Sequence, residues 1–281
     1  MGLENLPLVG SYAKLFSLKE LDLGPAEASV VTKIRWCQVL RGLLTNINKP
    51  AMLAQFLVLC KGDAALMAAE MGRTQAAVNL SWLLLAPGVS SLSDAIGRPL
   101  LSGLRPIGLG LFNLVLLGLE PLSATLSLSP LTLRFLAESL LVGVLGAGGR
   151  DVQSAAMSDL FGSRPMLSSK LQTCEGMCWD ASGMIGPFIG AFIASRSVKA
   201  GFATAAIIGF MMTFTSMTVP ETLRRENRKP FSVKQANALA NVHLLFSSGV
   251  GLRRMAIAAT LCQSMQYVPT LRSAFLSVSF R

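Results

Sequence analysis

Charge is what this sequence has least of. Asp, Glu, Lys and Arg make up 14% of its 281 residues, against about a quarter in a soluble domain. Two long stretches, Thr74–Ser93 and Ala200–Pro220, carry no charge at all. At 1.5 Å per residue, roughly 20 residues of helix cross a hydrocarbon core of about 30 Å. That scarcity excludes an ordinary soluble domain and predicts an all-α membrane protein. Histidine is scarcer still: a single His243 cannot build a multi-histidine metal site. The five cysteines, Cys37, Cys60, Cys174, Cys178 and Cys262, are scattered. Cys174 and Cys178 stand four apart on one helix face, a poor arrangement for a disulfide or a tetrahedral metal. With one histidine and dispersed carboxylates there is no catalytic cluster, and neither an enzyme, a metal nor a cofactor is expected. No cleavable leader is expected, because Met1-Gly2-Leu3-Glu4-Asn5-Leu6 has no basic segment ahead of an apolar one. The sixth position lacks the Ser or Thr that N-myristoylation needs.

What is there is basic. The net charge is +10 and the pI about 9.8. Membrane proteins collect Lys and Arg in cytoplasmic loops, and no basic face with interleaved aromatics appears, so nucleic acid is not expected as a partner. Residues 1–49 mix both signs and read as a cytoplasmic N-terminal segment, with Val30–Leu44 as an amphipathic helix lying on the bilayer. Six spans are expected in 50–219: Pro50–Ala69, Thr74–Ser93, Pro99–Leu119, Leu131–Gly149, Gly176–Ser195 and Ala200–Val219. The stretch 220–254 reads as a cytoplasmic loop. It holds Arg224, Arg225, Arg228, Lys229, Lys234, Arg253 and Arg254, and its side matches the basic N-terminus after an even number of crossings. Residues 255–281 contain a seventh apolar run, Met255–Leu271.

Between the second and third spans stands Ser90-Ser91-Leu92-Ser93-Asp94-Ala95-Ile96-Gly97-Arg98-Pro99. Gly97 suits a positive φ, and Asp94 can cap a helix or pair with an arginine. In the fifth span, Gly186 and Gly190 flank Pro187 at a spacing that allows close helix approach and a bend. Ser158-Asp159-Leu160-Phe161-Gly162-Ser163-Arg164 follows the fourth span, and Val219-Pro220-Glu221-Thr222-Leu223 closes the sixth.

Taken in order, these segments resemble the major facilitator superfamily. Leu92, Asp94, Gly97 and Arg98 match its signature between helices two and three, with Ser90, Ala95 and Pro99 in place of the usual Gly, Arg and last basic residue. Gly186, Pro187 and Gly190 match its antiporter signature in helix five, with Ser182 and Ala191 for the outer glycines. Asp159, Arg164 and the Pro-Glu-Thr-Leu exit match further landmarks. The fourth-helix R-x-x-Q-G-x-G motif departs: Ser139 and Val142 occupy its Arg and Gln positions ahead of Gly143.

The resemblance implies a six-helix half of a carrier, and the chain is expected to be that N-terminal half, truncated early in the second. The implied function is secondary transport of small organic molecules with proton exchange, as in drug export. The alternative is a membrane fragment that binds or regulates a full-length carrier. A carrier's partners would be the lipid bilayer, a small-molecule substrate and protons, and a half would also be expected to self-associate. Asp94, Arg98, Asp159 and Arg164 are expected to form a cytoplasmic charge cluster. Ionisable residues at membrane depth are functional candidates by default. That singles out Asp63, tuned by Lys61, then Glu138 and Asp180 as proton-coupling carboxylates. Arg134 is expected to pair with Glu138 four residues on, and Trp82, Trp179 and Asn79 to line a cavity.

Overall fold

The computed structural model describes residues 23–223 and 225–239, with isolated positions between 243 and 257. Among these residues the chain is helical, with no strand. Helix α1, Pro25–Ile47, starts with proline at its first turn, and the Glu27 carboxylate accepts a hydrogen bond from Gly24 N at 3.2 Å. The rod resumes at once as α2, Lys49–Leu59. Pro50, which has no N–H to donate, explains the interruption at Asn48. A tight turn follows, with Lys61 and Gly62 both at positive φ. Asp63 then caps α3, Ala64–Ile96, accepting from the amides of Ala65 and Leu66 at 2.9 and 3.0 Å.

Gly97 ends α3 at φ +112, a conformation costly for residues with a Cβ. Then come α4 (Arg98–Ser102), α5 (Leu104–Leu117), α6 (Leu119–Leu126) and α7 (Pro130–Ala137). The chain widens into a π-helical stretch, Glu138–Val144, before α8 (Gly149–Phe161), α9 (Pro165–Arg196) and α10 (Val198–Met217). A 3₁₀ turn at Arg225–Asn227 and a short α11, Val233–Ala236, follow.

Among the described residues, four helices are long and apolar enough to cross a membrane: Ala64–Ile96, Arg98–Leu117, Pro165–Arg196 and Val198–Met217. Leu119–Leu126 and Pro130–Val144 form a pair bent by 102° that makes a fifth candidate if counted as one span. These helices mark the chain as a membrane protein.

The α1–α9 seam is the most extensive helix–helix contact among the described residues. Small residues recur along α9 at Ser182, Gly186 and Gly190, all buried. A methyl on Gly186 would come within 2.8 Å of Asn46 Cβ, and one on Gly190 would strike the Ile47 carbonyl. From the other side, a methyl on Gly42 would meet Ser182 Cβ at 2.6 Å. Gly186 and Gly190 thus serve backbone contact between two helices. In the same way, a methyl on Gly209 of α10 would sit 2.8 Å from Gly110 Cα of α5.

Several expectations change, among them the first span, Pro50–Ala69, which the turn at Lys61 and Gly62 breaks. The boundary at residue 49 falls between α1 and α2, which pack in one bundle. Val31, Ile34, Cys37, Leu44 and Ile47 of α1 are buried against protein, so α1 does not lie on a bilayer surface. Its arginines hid this, because hydropathy counts charge without seeing the internal partners that receive it. The fifth helix begins at Pro165, eleven positions before the expected Gly176. The helix of the fourth segment ends at Val144, five positions before the expected Gly149, and a further helix, α8, begins at Gly149 after a turn. The seventh run, Met255–Leu271, lies outside the described residues but for Ile257.

Candidate functional site

The segment after α3 turns sharply at Gly97 and delivers Arg98 into the bundle end. Its guanidinium, almost fully buried, meets Asp94 at 2.7 Å and Asp159 of α8 at 3.1 Å. It also donates to Ser93 Oγ at 2.6 Å. Thr222 Oγ1 donates to the same Asp159 oxygen at 3.3 Å. Glu221 closes the ring, accepting from Arg98 N at 3.2 Å and Leu223 N at 3.1 Å, and pairing with Arg228 at 3.2 Å. A Cβ on Gly97 would collide with the Glu221 carboxylate, so this glycine is required by both its φ and its neighbour. Charge-assisted bonds of this length are the strong class.

Three of the four expected residues therefore meet. Arg164 lies at the same end but turns to Glu27 of α1. The lapse in the expectation was the missing partner: Glu27 sits in the stretch read as separate from the bundle. Leu92 stays at the surface.

A second polar cluster lies deeper, between α1, α8 and α9. Arg41 is 6% exposed and donates to Gln38 Oε1 at 3.4 Å and to Gln153 Oε1 at 3.3 Å, with its guanidinium 5.6 Å from the Trp179 ring. Glu175 Oε2 accepts from Gln38 Nε2 at 3.3 Å, while its buried Oε1 has no hydrogen-bond donor. Arg35 and Arg41 are both within electrostatic reach of this carboxylate. Glu175 is about three turns into α9. A cavity of about 20 Å³, room for roughly one water, separates the two clusters and is lined by Arg98 and Gln153 among others.

Comparison with protein-family models, curated proteins and solved structures gave no match to this chain. Its function must be argued from its own geometry.

Two of the three expected carboxylates have other surroundings than expected. Asp63 is exposed and occupied as the α3 cap, and Lys61 forms the positive-φ turn before it. Asp180 is exposed, two residues past buried Cys178 and so about 200° around α9 from the buried row. Glu138 does pair with Arg134, at 3.4 Å. Arg134 is 1% exposed, bonds Gln55 Oε1 at 3.1 Å and lies 3.8 Å from the Phe56 ring centroid, with Nε left without a hydrogen-bond partner. The π-helical stretch begins at Glu138, and Trp82 Nε1 donates across to its Val142 carbonyl at 3.0 Å. Trp82 thus satisfies a backbone oxygen that the irregular turn releases, and Asn79 is exposed.

Glu175, Arg35, Gln38, Arg41 and Gln153 were not singled out by sequence. Glu175 stands one residue outside the expected fifth span, and the arginines stand in the expected surface helix. A signal did exist: Arg35, Gln38 and Arg41 recur every three residues, the spacing of one helix stripe.

Proposed function

We propose that the bundle is the six-helix unit of a major facilitator-type secondary carrier that moves small organic molecules in exchange for protons. The six spans are α1 with α2, α3, α4 with α5 and α6, α7 through α8, α9, and α10. In this reading the end bearing Arg98 is cytoplasmic. The observation that carries the reading is the ring of Asp94, Arg98, Asp159 and Glu221. Segments far apart in sequence converge there, each of them a segment whose sequence resembles the family.

The coupling carboxylate in this reading is Glu175. It is enclosed, faces two cations, keeps one oxygen without a donor, and stands beside the aromatic surface of Trp179. Asp63 is set aside because its carboxylate is occupied as the α3 cap, and Asp180 because it points away from the buried row of α9. Glu138 is held by Arg134 and has a structural use.

The test is uptake by proteoliposomes under an imposed pH gradient, using a panel of organic cations and anions. Gradient-driven uptake of at least one compound is expected. Glu175→Gln should abolish the gradient dependence while substrate exchange at equal pH persists. Correctly folded protein that neither takes up nor exchanges any panel member would overturn the carrier reading and favour the regulatory-fragment alternative.

A further inference from the structure

The segment after α10 does not hang free. It crosses the Arg98 end as a strap fastened at four places. Arg228 pairs with Glu221 at 3.2 Å. Lys229 N donates to the Asp94 carbonyl at 3.3 Å, and Ser232 N donates to Ser91 Oγ at 3.3 Å. Ala236 of α11 rests on Gly88 of α3, 3.8 Å from where a methyl there would sit. Every fastening engages α3 or the ring around Arg98.

We propose that Ser232 is a phosphorylation site for a serine kinase that selects basic residues upstream, and that phosphate on it unfastens the strap. Two observations meet at this residue. Arg228 and Lys229 lie four and three positions ahead of it, and Arg225 lies further upstream, which gives the cationic approach that an acidic kinase groove recognises. The intervening stretch 228–232 is non-helical and partly exposed. Pro230 also biases Lys229 towards the extended backbone a kinase groove accepts.

In the transfer, Ser232 Oγ attacks the γ-phosphorus of a nucleoside triphosphate. The bond to the departing nucleoside diphosphate breaks, and the hydroxyl proton goes to the kinase's base. The product carries nearly two negative charges beside Ser91, near the Asp94 carboxylate and the carbonyl end of α3. Like charge and the negative helix terminus both repel it. Arg228 is then drawn to the phosphate and away from Glu221. The strap lifts, and the Arg98 ring loses its cover.

The inference rests on the proposed topology for one point only, that this end meets nucleoside triphosphate. The experiment separates the two. Full-length protein in nanodiscs, open on both faces, is treated with a basophilic serine kinase and ATP and mapped by mass spectrometry. Limited trypsin digestion then reads cleavage after Arg228. Expected are phosphate on Ser232, its loss in Ser232→Ala, and cleavage about fivefold faster in the phosphorylated protein and in Ser232→Glu. Ser91→Ala, which removes one fastening without adding charge, should speed cleavage by about twofold. Phosphate found only elsewhere, or phospho-Ser232 with cleavage unchanged, overturns the proposal. Labelling in nanodiscs that fails in sealed inside-out vesicles would retain the site and refute the topology.

Discussion

The two polar clusters are charge inverses of each other. At the bundle end one arginine, Arg98, is ringed by Asp94, Asp159 and, through its backbone, Glu221. Inside the bundle one carboxylate, Glu175, faces two arginines and keeps an oxygen without a donor. In the first arrangement the Arg98 guanidinium is matched to acceptors at short distance, which favours one geometry. The second leaves room for a proton or a polar ligand to complete it. The difference teaches that a buried charge must be judged by its unfilled bonding capacity as well as by its depth.

The comparison breaks most readily at Arg98. Arg98→Ala leaves Asp94 and Asp159 facing each other without their cation, and should cost about 3 kcal/mol. Thermal unfolding in detergent measures it, and Arg98→Lys should recover only part because one ammonium cannot span both acids. A smaller loss than that of the interior variants below would show that the end ring is not the tighter cluster.

Next in size is the seam that carries Glu175. Gly190→Val drives a side chain into the Ile47 carbonyl and should destabilise by roughly 2 kcal/mol. The same variant should shift the fluorescence of Trp179, read with Trp36 and Trp82 replaced by Phe. A stable protein with unmoved Trp179 emission would mean that the α1–α9 contact does not hold the interior cluster.

Asp63→Ala removes only a helix cap and should lower stability by about 1 kcal/mol, with Asp63→Asn close to neutral. Any loss of proton coupling in Asp63→Asn would return that residue to the candidates and weaken the case for Glu175.

The smallest stability effect is expected at Glu175. Glu175→Gln keeps the shape and still accepts from Gln38, so unfolding should shift by less than about 1 kcal/mol in either direction. A loss as large as that of Arg98→Ala would make Glu175 a structural partner of its arginines and erase the contrast.

How far the residues alone reached can be followed element by element. Helix α10 and the body of α3 were read closely, because a charge-free run of about 20 residues has one stable solution in lipid. The Gly97 turn and the meeting of Asp94, Arg98 and Asp159 were also read, without Arg164, because a short loop restricts its polar residues to one end of the bundle. Helix α1 was misplaced. Its charge count is that of a surface helix, and only its neighbours reveal that Arg41 meets Gln153 while the opposite residues pack against apolar side chains.

Composition and run length by themselves determined that this is a helical membrane protein, since lipid tolerates few alternatives to long apolar helices. Local spacing determined where the chain turns and where small residues let helices touch. Which polar residues meet around Glu175 was decided only by tertiary structure. Glu175 and Arg41 stand 134 positions apart, and no local pattern says that α9 packs against α1. That choice depends on how Gly42, Ser182, Gly186 and Gly190 fit across the seam, a property of two surfaces together.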